Sequence, residues 1–210
     1  MYQPASFRDD CLESHIALVR ANPLGMLISH GDQGLVVDPL PFLIDADEQG
    51  HVHLRAHLSR ANPHWPLLQA VQECLVVFQG LQGYISPGWY ETKRQTGKAV
   101  PTWNYSVVQL RGVPRVTEDA GWLRQQLDGL TALQEGRQPE PWHREDAPAN
   151  YIAAQMKGIV GIEITVTHRE GKWKMSQNRS AEDVDGVVAA LRAGDVAQQQ
   201  LADEVERRRG

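Results

Sequence analysis

Three short runs between His57 and Tyr105 combine residue types able to grip a phosphate at one end and a flat, partly polar ring nearby. In His57-Leu58-Ser59-Arg60-Ala61-Asn62-Pro63-His64-Trp65 a period-two pattern passes into a helix-start signal, with a hydroxyl, a cation and an amide at the junction. A helix start presents free backbone N–H groups and the positive end of its dipole, both suited to an anion. Arg60 could add a bidentate phosphate contact and Ser59 a hydroxyl donor. The plainer alternative is a solvated Arg60 and an Asn62 that merely caps. The runs Tyr84-Ile85-Ser86-Pro87-Gly88-Trp89-Tyr90 and Val100-Pro101-Thr102-Trp103-Asn104-Tyr105 set Trp and Tyr beside Ser, Thr and Asn. Flat heteroaromatic ligands need such apolar faces next to hydrogen-bonding groups. With six Trp in 210 residues, the same aromatics would equally suit a core or a subunit interface.

His51, His53 and His57 lie at odd positions and would share one face of a strand. A regular strand sets His53 and His57 roughly 13 Å apart, too far for one ion. Metal ligands also usually come from more than one element, so no metal is expected. His57, at the strand end beside the anion junction, is instead a ligand-contact candidate.

The elements that would position these residues follow from periodicity and stop signals. Asp9 or Asp10 can cap a helix to about Ala21, with Leu12, Ile16 and Val19 on one face and Asn22-Pro23 as its stop. Leu24 to His30 and Leu35 to Ile44 form a hairpin around Gly31-Asp32-Gln33-Gly34. Pro39 and Pro41 in the second strand indicate an edge, a bulge or an early end. A third strand, His51 to Leu58, precedes a short helix with Asn62 as N-cap and Pro63 at its first position. Glu73 to Gln79 and Tyr84 to Ser86 are two further strands, Lys93 to Lys98 an exposed loop, and Asn104 to Val116 a long strand. Thr117 can cap a helix to about Gln134 carrying the stripe Leu123, Leu127, Leu130. Glu135 to Pro148 is a loop and Ala149 to Lys157 a helix. Ile159 to Thr167 is a strong strand, turned back by Arg169-Glu170-Gly171-Lys172 into Trp173 to Ser176. Ser180, with Asp183 three residues on, caps a helix that breaks at Gly194, and a polar helix follows.

Six to eight strands, mostly in hairpin order, with helices inserted or appended, argue for a mainly β architecture with peripheral helices, either an antiparallel barrel or an α+β domain. No G-x-G-x-x-G follows the first strand, which excludes the common dinucleotide fold. Neither an internal repeat nor a domain-scale linker interrupts residues 1–210, so a single domain is expected, with 180–210 a C-terminal helical extension.

Composition narrows the function classes. A hydrophobic fraction of 41% and a charged fraction of 22% are ordinary for a globular protein. The net charge of −5 gives no global attraction to nucleic acid or anionic membranes. Cys11 and Cys74 make neither a disulfide framework nor a zinc knuckle. No 18-residue apolar stretch and no basic-then-apolar leader appears, so a cytoplasmic location without membrane association is expected.

Taken together, several runs carry a resemblance. Met1-Tyr2-Gln3-Pro4, the His57–Pro63 run, Tyr84–Pro87 with Trp89-Tyr90, Val100–Tyr105, Ile159-Val160-Gly161-Ile162-Glu163-Ile164 and Gly171-Lys172-Trp173-Lys174-Met175-Ser176-Gln177-Asn178 resemble, in order and over nearly the whole chain, the PaiB family of FMN-binding negative transcriptional regulators. The resemblance implies an FMN-binding split β-barrel, the fold of pyridoxamine-phosphate oxidase and flavin reductases, as a homodimer with FMN at the interface. Where the family has a small residue such as Ser before the tryptophan of the second run, this chain has Gly88 and lacks that hydroxyl. The implied cofactor contacts are His57, Ser59, Arg60 and Asn62, then Thr102, Trp103, Asn104 and Tyr105, then Lys174, Ser176, Gln177 and Asn178. Without the resemblance, Ser176 to Asn178 read as the loop before the Ser180 helix.

No residue stands out as a catalytic acid or base. The resemblance implies repression of transcription, with DNA as a partner. The chain itself offers only Arg207-Arg208-Arg209 as a dense basic cluster, at a helix C-terminus where cations also complement the dipole. The alternatives are a flavin-dependent oxidoreductase, in which bound FMN performs the transfer while the protein orients it, and storage of flavin or heme.

Overall fold

The computed structural model describes residues 1–32 and 34–209. Gln33, in the expected hairpin turn, lies outside them. The described strands are β1 (Arg8–Asp9), β2 (Leu24–Gly31), β3 (Gly34–Pro41), β4 (Leu43–Ala46), β5 (Val52–Ser59), β6 (Cys74–Ile85), β7 (Thr102–Thr117) and β8 (Ile159–Lys174). The helices are α1 (Leu12–Ala21), α2 (His64–Leu68), α3 (Glu91–Thr96), α4 (Ala120–Glu135), α5 (Ala149–Lys157), α6 (Ala181–Arg192) and α7 (Val196–Arg207). The strand order is β3-β2-β6-β7-β8-β5-β4, with β1 on β8, and among the described residues the end strands β3 and β4 do not pair with each other. The architecture is therefore α+β around an open, mainly antiparallel sheet. None of the described helices is long and apolar enough to cross a membrane.

The fold divides into two compact units. One comprises Ile16–Phe78 and Gln109–Arg169, the other Met1–His15, Gln79–Val108 and Glu170–Gly210. In the larger unit β2 pairs with β3 from Leu24↔Pro41 to Gly31↔Gly34, and with β6 at Met26↔Val77. Strand β5 pairs with β4 at Leu43↔Arg55 and with β8 from His53↔Thr165 to Ser59↔Ile159. Val52, Leu54, Ala56 and Leu58 of β5 turn inward and His53, Arg55 and His57 lie on the other, half-buried face. Each inward leucine contributes about 1.5–3 kcal/mol of burial. Leu27, Phe42, Ile44, Val76, Phe78, Ile162 and Ile164 complete this core, with Phe42 and Phe78 edge to face at 5.6 Å. Pro39 and Pro41 sit on an edge strand, where a missing N–H breaks no ladder.

In the smaller unit α6 and α7 pack together, burying Val184, Val187, Val188, Leu191, Leu201 and Val205, and Ile85, Trp173 and Met175 are buried in the same unit. Ser180 accepts from Asp183 N at 3.3 Å and caps α6, whereas the Asp183 carboxylate reaches Thr92, accepting from its N and Oγ1 at 2.8 Å each. Asp195 and Gln198 form a reciprocal capping box on α7.

Four local expectations change. The two strands expected at 73–79 and 84–86 are the single strand β6, because Gly80 and Gly83 keep ordinary extended dihedrals and do not turn the chain. The loop expected at 93–98 is mostly helix α3, held by Asp183 at its start and ended by Gly97 in the left-handed region (φ 73°). No hairpin forms at 169–172: β8 runs straight through, with Asp9 paired to Gly171. A Cβ on Gly171 would stand 2.1 Å from His15 Nε2, so this glycine serves close approach and not a turn. Finally, α4 is capped by Asp119, which accepts from Trp122 N at 2.7 Å, and Thr117 Oγ1 instead accepts from Asp119 N.

Candidate functional site

The strand-to-helix junction of the larger unit is densely braced. Ser59 Oγ accepts from Ala61 N, and Asn62 Oδ1 accepts from His64 N at 2.8 Å. Asn62 therefore satisfies the helix-start N–H as expected, although α2 itself begins one residue later than the sequence indicated and spans five residues. His57 Nδ1 meets Gln126 Oε1 at 3.0 Å on α4. Arg60 extends outward: its guanidinium donates to the Lys157 and Ile159 carbonyls and pairs with Glu118 at 2.6 Å. A phosphate on Arg60 would have to take the place of Glu118.

Sequence reasoning missed the brace beneath this junction. His64 is 1% exposed, with Nε2 at 2.6 Å from Ser29 Oγ and Nδ1 at 2.7 Å from Asp38 Oδ2. The order Ser–His–Asp is that of a nucleophile relay, but Ser29 is 3% exposed on β2, too enclosed to attack a substrate. The three residues tie β2, β3 and the junction together, and Trp65 Nε1 donates to Arg60 O from the other side. No sequence signal connected residues so far apart in the chain. The three histidines singled out from the sequence also have neighbouring partners, His51 in Asp47 at 2.9 Å, His53 in Asp47 at 3.9 Å and His57 in Gln126.

The remaining candidates lie in the smaller unit, on the near ends of β7 and β8. Their backbones bring Thr102–Tyr105 against Lys174–Ser176. Lys174 Nζ donates to Thr102 Oγ1 at 2.6 Å and to the Trp103 carbonyl. Asn104 and Ser176, both buried, share hydrogen bonds at 3.0 and 3.2 Å. Ser176 is the one described non-glycine residue with positive φ, 68°, a strained conformation of the sort concentrated at functional sites. Gln177 closes the turn, accepting from Met175 N and donating to Trp173 O, both at 2.7 Å. Asn178 is exposed. Trp103 is half exposed and meets Tyr84 edge to face at 6.1 Å.

Two cations beside this group were not singled out from the sequence. Lys172 is buried, donates to Tyr2 O at 3.1 Å, and lies 5.2 Å from the Tyr105 ring. Arg179 stacks over the Tyr90 ring at 4.7 Å. Burial, then the charges of Arg179 and Lys172, hold the Lys174 ammonium below the usual lysine value. Among the described residues none of these three cations is ion-paired with a carboxylate. Tyr90, buried beneath Arg179, has no hydrogen-bond partner for its Oη among the described residues. Their only signal was adjacency: Lys172 and Arg179 flank the run 173–178 at its two ends. Uncompensated, half-buried positive charge beside aromatic rings suits an anionic, aromatic ligand.

The fold is that of the split-barrel flavoproteins. It is similar to the flavocytochrome Anf3 of Azotobacter vinelandii, with a TM-score of 0.57 at 15% identity, covering 85% of this chain and 75% of that one. The chain belongs to the family described as "Putative FMN-binding domain", whose model matches residues 1–168, and FMN is its cofactor. It is 34% identical over 209 residues to the protein AN0679 of Emericella nidulans, covering 83% of each. It is 28% identical over 191 residues to the "Protease synthase and sporulation protein PAI 2" of Bacillus subtilis, covering 91% of this chain and 89% of the relative. The donor set just described fits FMN: hydrogen-bonding groups and half-exposed aromatics for a ring, and unpaired cations for its negative charge.

Proposed function

We propose that the chain is an FMN-dependent negative regulator of transcription, acting as a cytoplasmic homodimer in which residues 1–210 work as one domain and 180–210 are its helical extension. The observation that carries the flavin site is the group Lys172, Lys174 and Arg179, cations without a carboxylate partner among the described residues, beside Thr102, Trp103, Asn104 and Tyr105. In this reading Lys174, Ser176, Gln177 and Asn178 contact the flavin from the smaller unit. His57, Ser59, Arg60 and Asn62 are the candidate contacts of the larger unit, with Arg60 exchanging Glu118 for the phosphate. The exposed Tyr84, Val100 and Trp103 support pairing of two copies, since exposed apolar and aromatic side chains favour a subunit interface. The regulatory part rests on similarity to the Bacillus protein, whose name concerns protease synthesis and sporulation.

One observation favours a second reading, a flavin-dependent oxidoreductase. The Arg207–Arg209 cluster that could have met DNA is taken up internally. Arg207 pairs with Glu204, Arg208 with Asp9 and Glu204 while stacking over Trp173 at 4.5 Å, and Arg209 with Asp185. Bound FMN supplies hydride or electron transfer, and the protein's residues orient it and set the charge around it. The two readings separate with purified FMN-loaded protein. Salt-sensitive retention of a promoter fragment over a scrambled one supports regulation through direct DNA binding. Bleaching of the flavin absorbance by NADH or NADPH without any DNA retention overturns it in favour of the enzyme.

A further inference from the structure

The larger unit contains a cavity of about 1020 Å³ whose walls are α4, α5 and the segment between them. Its floor is apolar: Leu123 on α4, and Ala149, Ile152, Ala153 and Met156 on α5. The spacing of those α5 residues is one helical face. That face is incompletely covered: none of the α5 residues is buried, and Ile152 and Met156 are half-buried. The rim is basic. Arg60, Arg124, Arg144 and Lys157 stand against only Glu118 and Glu145. Arg60 is already held by Glu118, and Arg144 by Asp128 and Glu145. Arg124 and Lys157 have no ion-pair partner among the described residues.

We propose that this cavity is a binding site for an amphiphilic organic anion, with an apolar body on the Leu123, Ile152 and Met156 floor and a carboxylate met by Arg124 and Lys157. An apolar cleft with a few convergent polar groups is the usual form of a small-molecule site, and the volume lies near the upper end of the usual range of about 300–1,000 Å³. The surplus positive rim selects the charge of the occupant, and the uncovered α5 face selects its apolar body. Neither the flavin reading nor its candidate residues are needed for this site, although Arg60 borders both.

Decanoate is a suitable probe, with decanol as its neutral counterpart. Isothermal titration of the full, FMN-loaded chain is expected to show saturable 1:1 decanoate binding, with decanol at least about tenfold weaker. The double variant Arg124→Gln/Lys157→Gln is expected to erase that preference, again by about tenfold, while leaving FMN fluorescence quenching unchanged. Ala153→Trp, which fills the cleft, should abolish binding of both probes; if it does not fold, Ala149→Phe on the same face replaces it. Absence of saturable binding, an undiminished preference in the double variant, or release of FMN by decanoate overturns the proposal. The last result would assign the cavity to the flavin itself. A change in oligomeric state on Ala153→Trp without decanoate binding to the parent chain would assign it to a second copy.

Discussion

Asn104 and Ser176, 72 residues apart in sequence, exchange hydrogen bonds in the buried part of the smaller unit: Asn104 Nδ2 donates to Ser176 Oγ at 3.0 Å, and the hydroxyl donates to Oδ1 at 3.2 Å. The pair fixes the end of β8 against the start of β7, and it does so with Ser176 in the left-handed region (φ 68°). A serine held there is kept for its hydroxyl, since glycine would occupy the same backbone at lower cost.

That trade can be measured. Ser176→Ala keeps the strain and strands the buried Asn104 amide, an expected loss of about 1–3 kcal/mol in urea unfolding. Ser176→Gly also loses the hydroxyl but relieves the backbone, so it should be about 1 kcal/mol more stable than the alanine variant. A glycine variant no more stable than the alanine one would remove strain from the account.

Arg60 is engaged by Glu118 and two carbonyls. With Arg60 at the phosphate, Arg60→Ala weakens FMN by about tenfold or more and riboflavin little, as expected for loss of a charge-assisted contact. Glu118→Gln removes the competitor and should tighten FMN. Equal losses of FMN and riboflavin in Arg60→Ala, read by fluorescence quenching, would separate Arg60 from the phosphate.

Burial and then its cationic neighbours hold the Lys174 ammonium below the usual lysine value in the folded chain. Between the two values the unfolded chain holds more protons than the folded one. The contribution of this group to stability is therefore lowest below the folded value and rises with pH through that window. Flavin affinity should fall over the same window as the ammonium discharges. Lys174→Met should lack both effects, and superimposable pH profiles for parent and variant would contradict the assignment.

The two cysteines should behave oppositely. Burial pushes the Cys74 thiol up to about 12, and its Sγ faces the Gly112 carbonyl at 3.6 Å, whereas Cys11 is exposed. Iodoacetamide at neutral pH should modify Cys11 alone in the native chain and both after unfolding, because the thiolate is the reactive form. Mass spectrometry of tryptic peptides reads the outcome, and native labelling of Cys74 would show that β6 opens.

Local rules carried most of the fold. The period-two pattern of β5, the Asn22-Pro23 stop, the α5 boundaries and the Ser180 cap all follow from neighbouring residues, and the structure has them. Misplaced features were those whose cause lies far along the chain. Gly171 looked like a turn residue, but it is a glycine because His15 crowds its strand. The 93–98 segment looked like a loop, but Asp183 organises its helix start. The proposed flavin contacts follow the same division. Thr102, Asn104, Lys174 and Ser176 were legible as motif members, while Lys172 and Arg179 enter the proposal through charges that have no carboxylate partner among the described residues. The Ser29–His64–Asp38 brace was invisible for that reason too.

The central claim is that Lys172, Lys174 and Arg179 hold FMN. Its most direct test is titration of FMN into the apo-chain, followed by fluorescence quenching, for the parent and for Lys174→Met/Arg179→Met. The account predicts saturable quenching at one FMN per chain and an affinity loss of about 100-fold in the double variant, about tenfold for each charge-assisted contact removed. Quenching with the parent's affinity in a correctly folded double variant would contradict it.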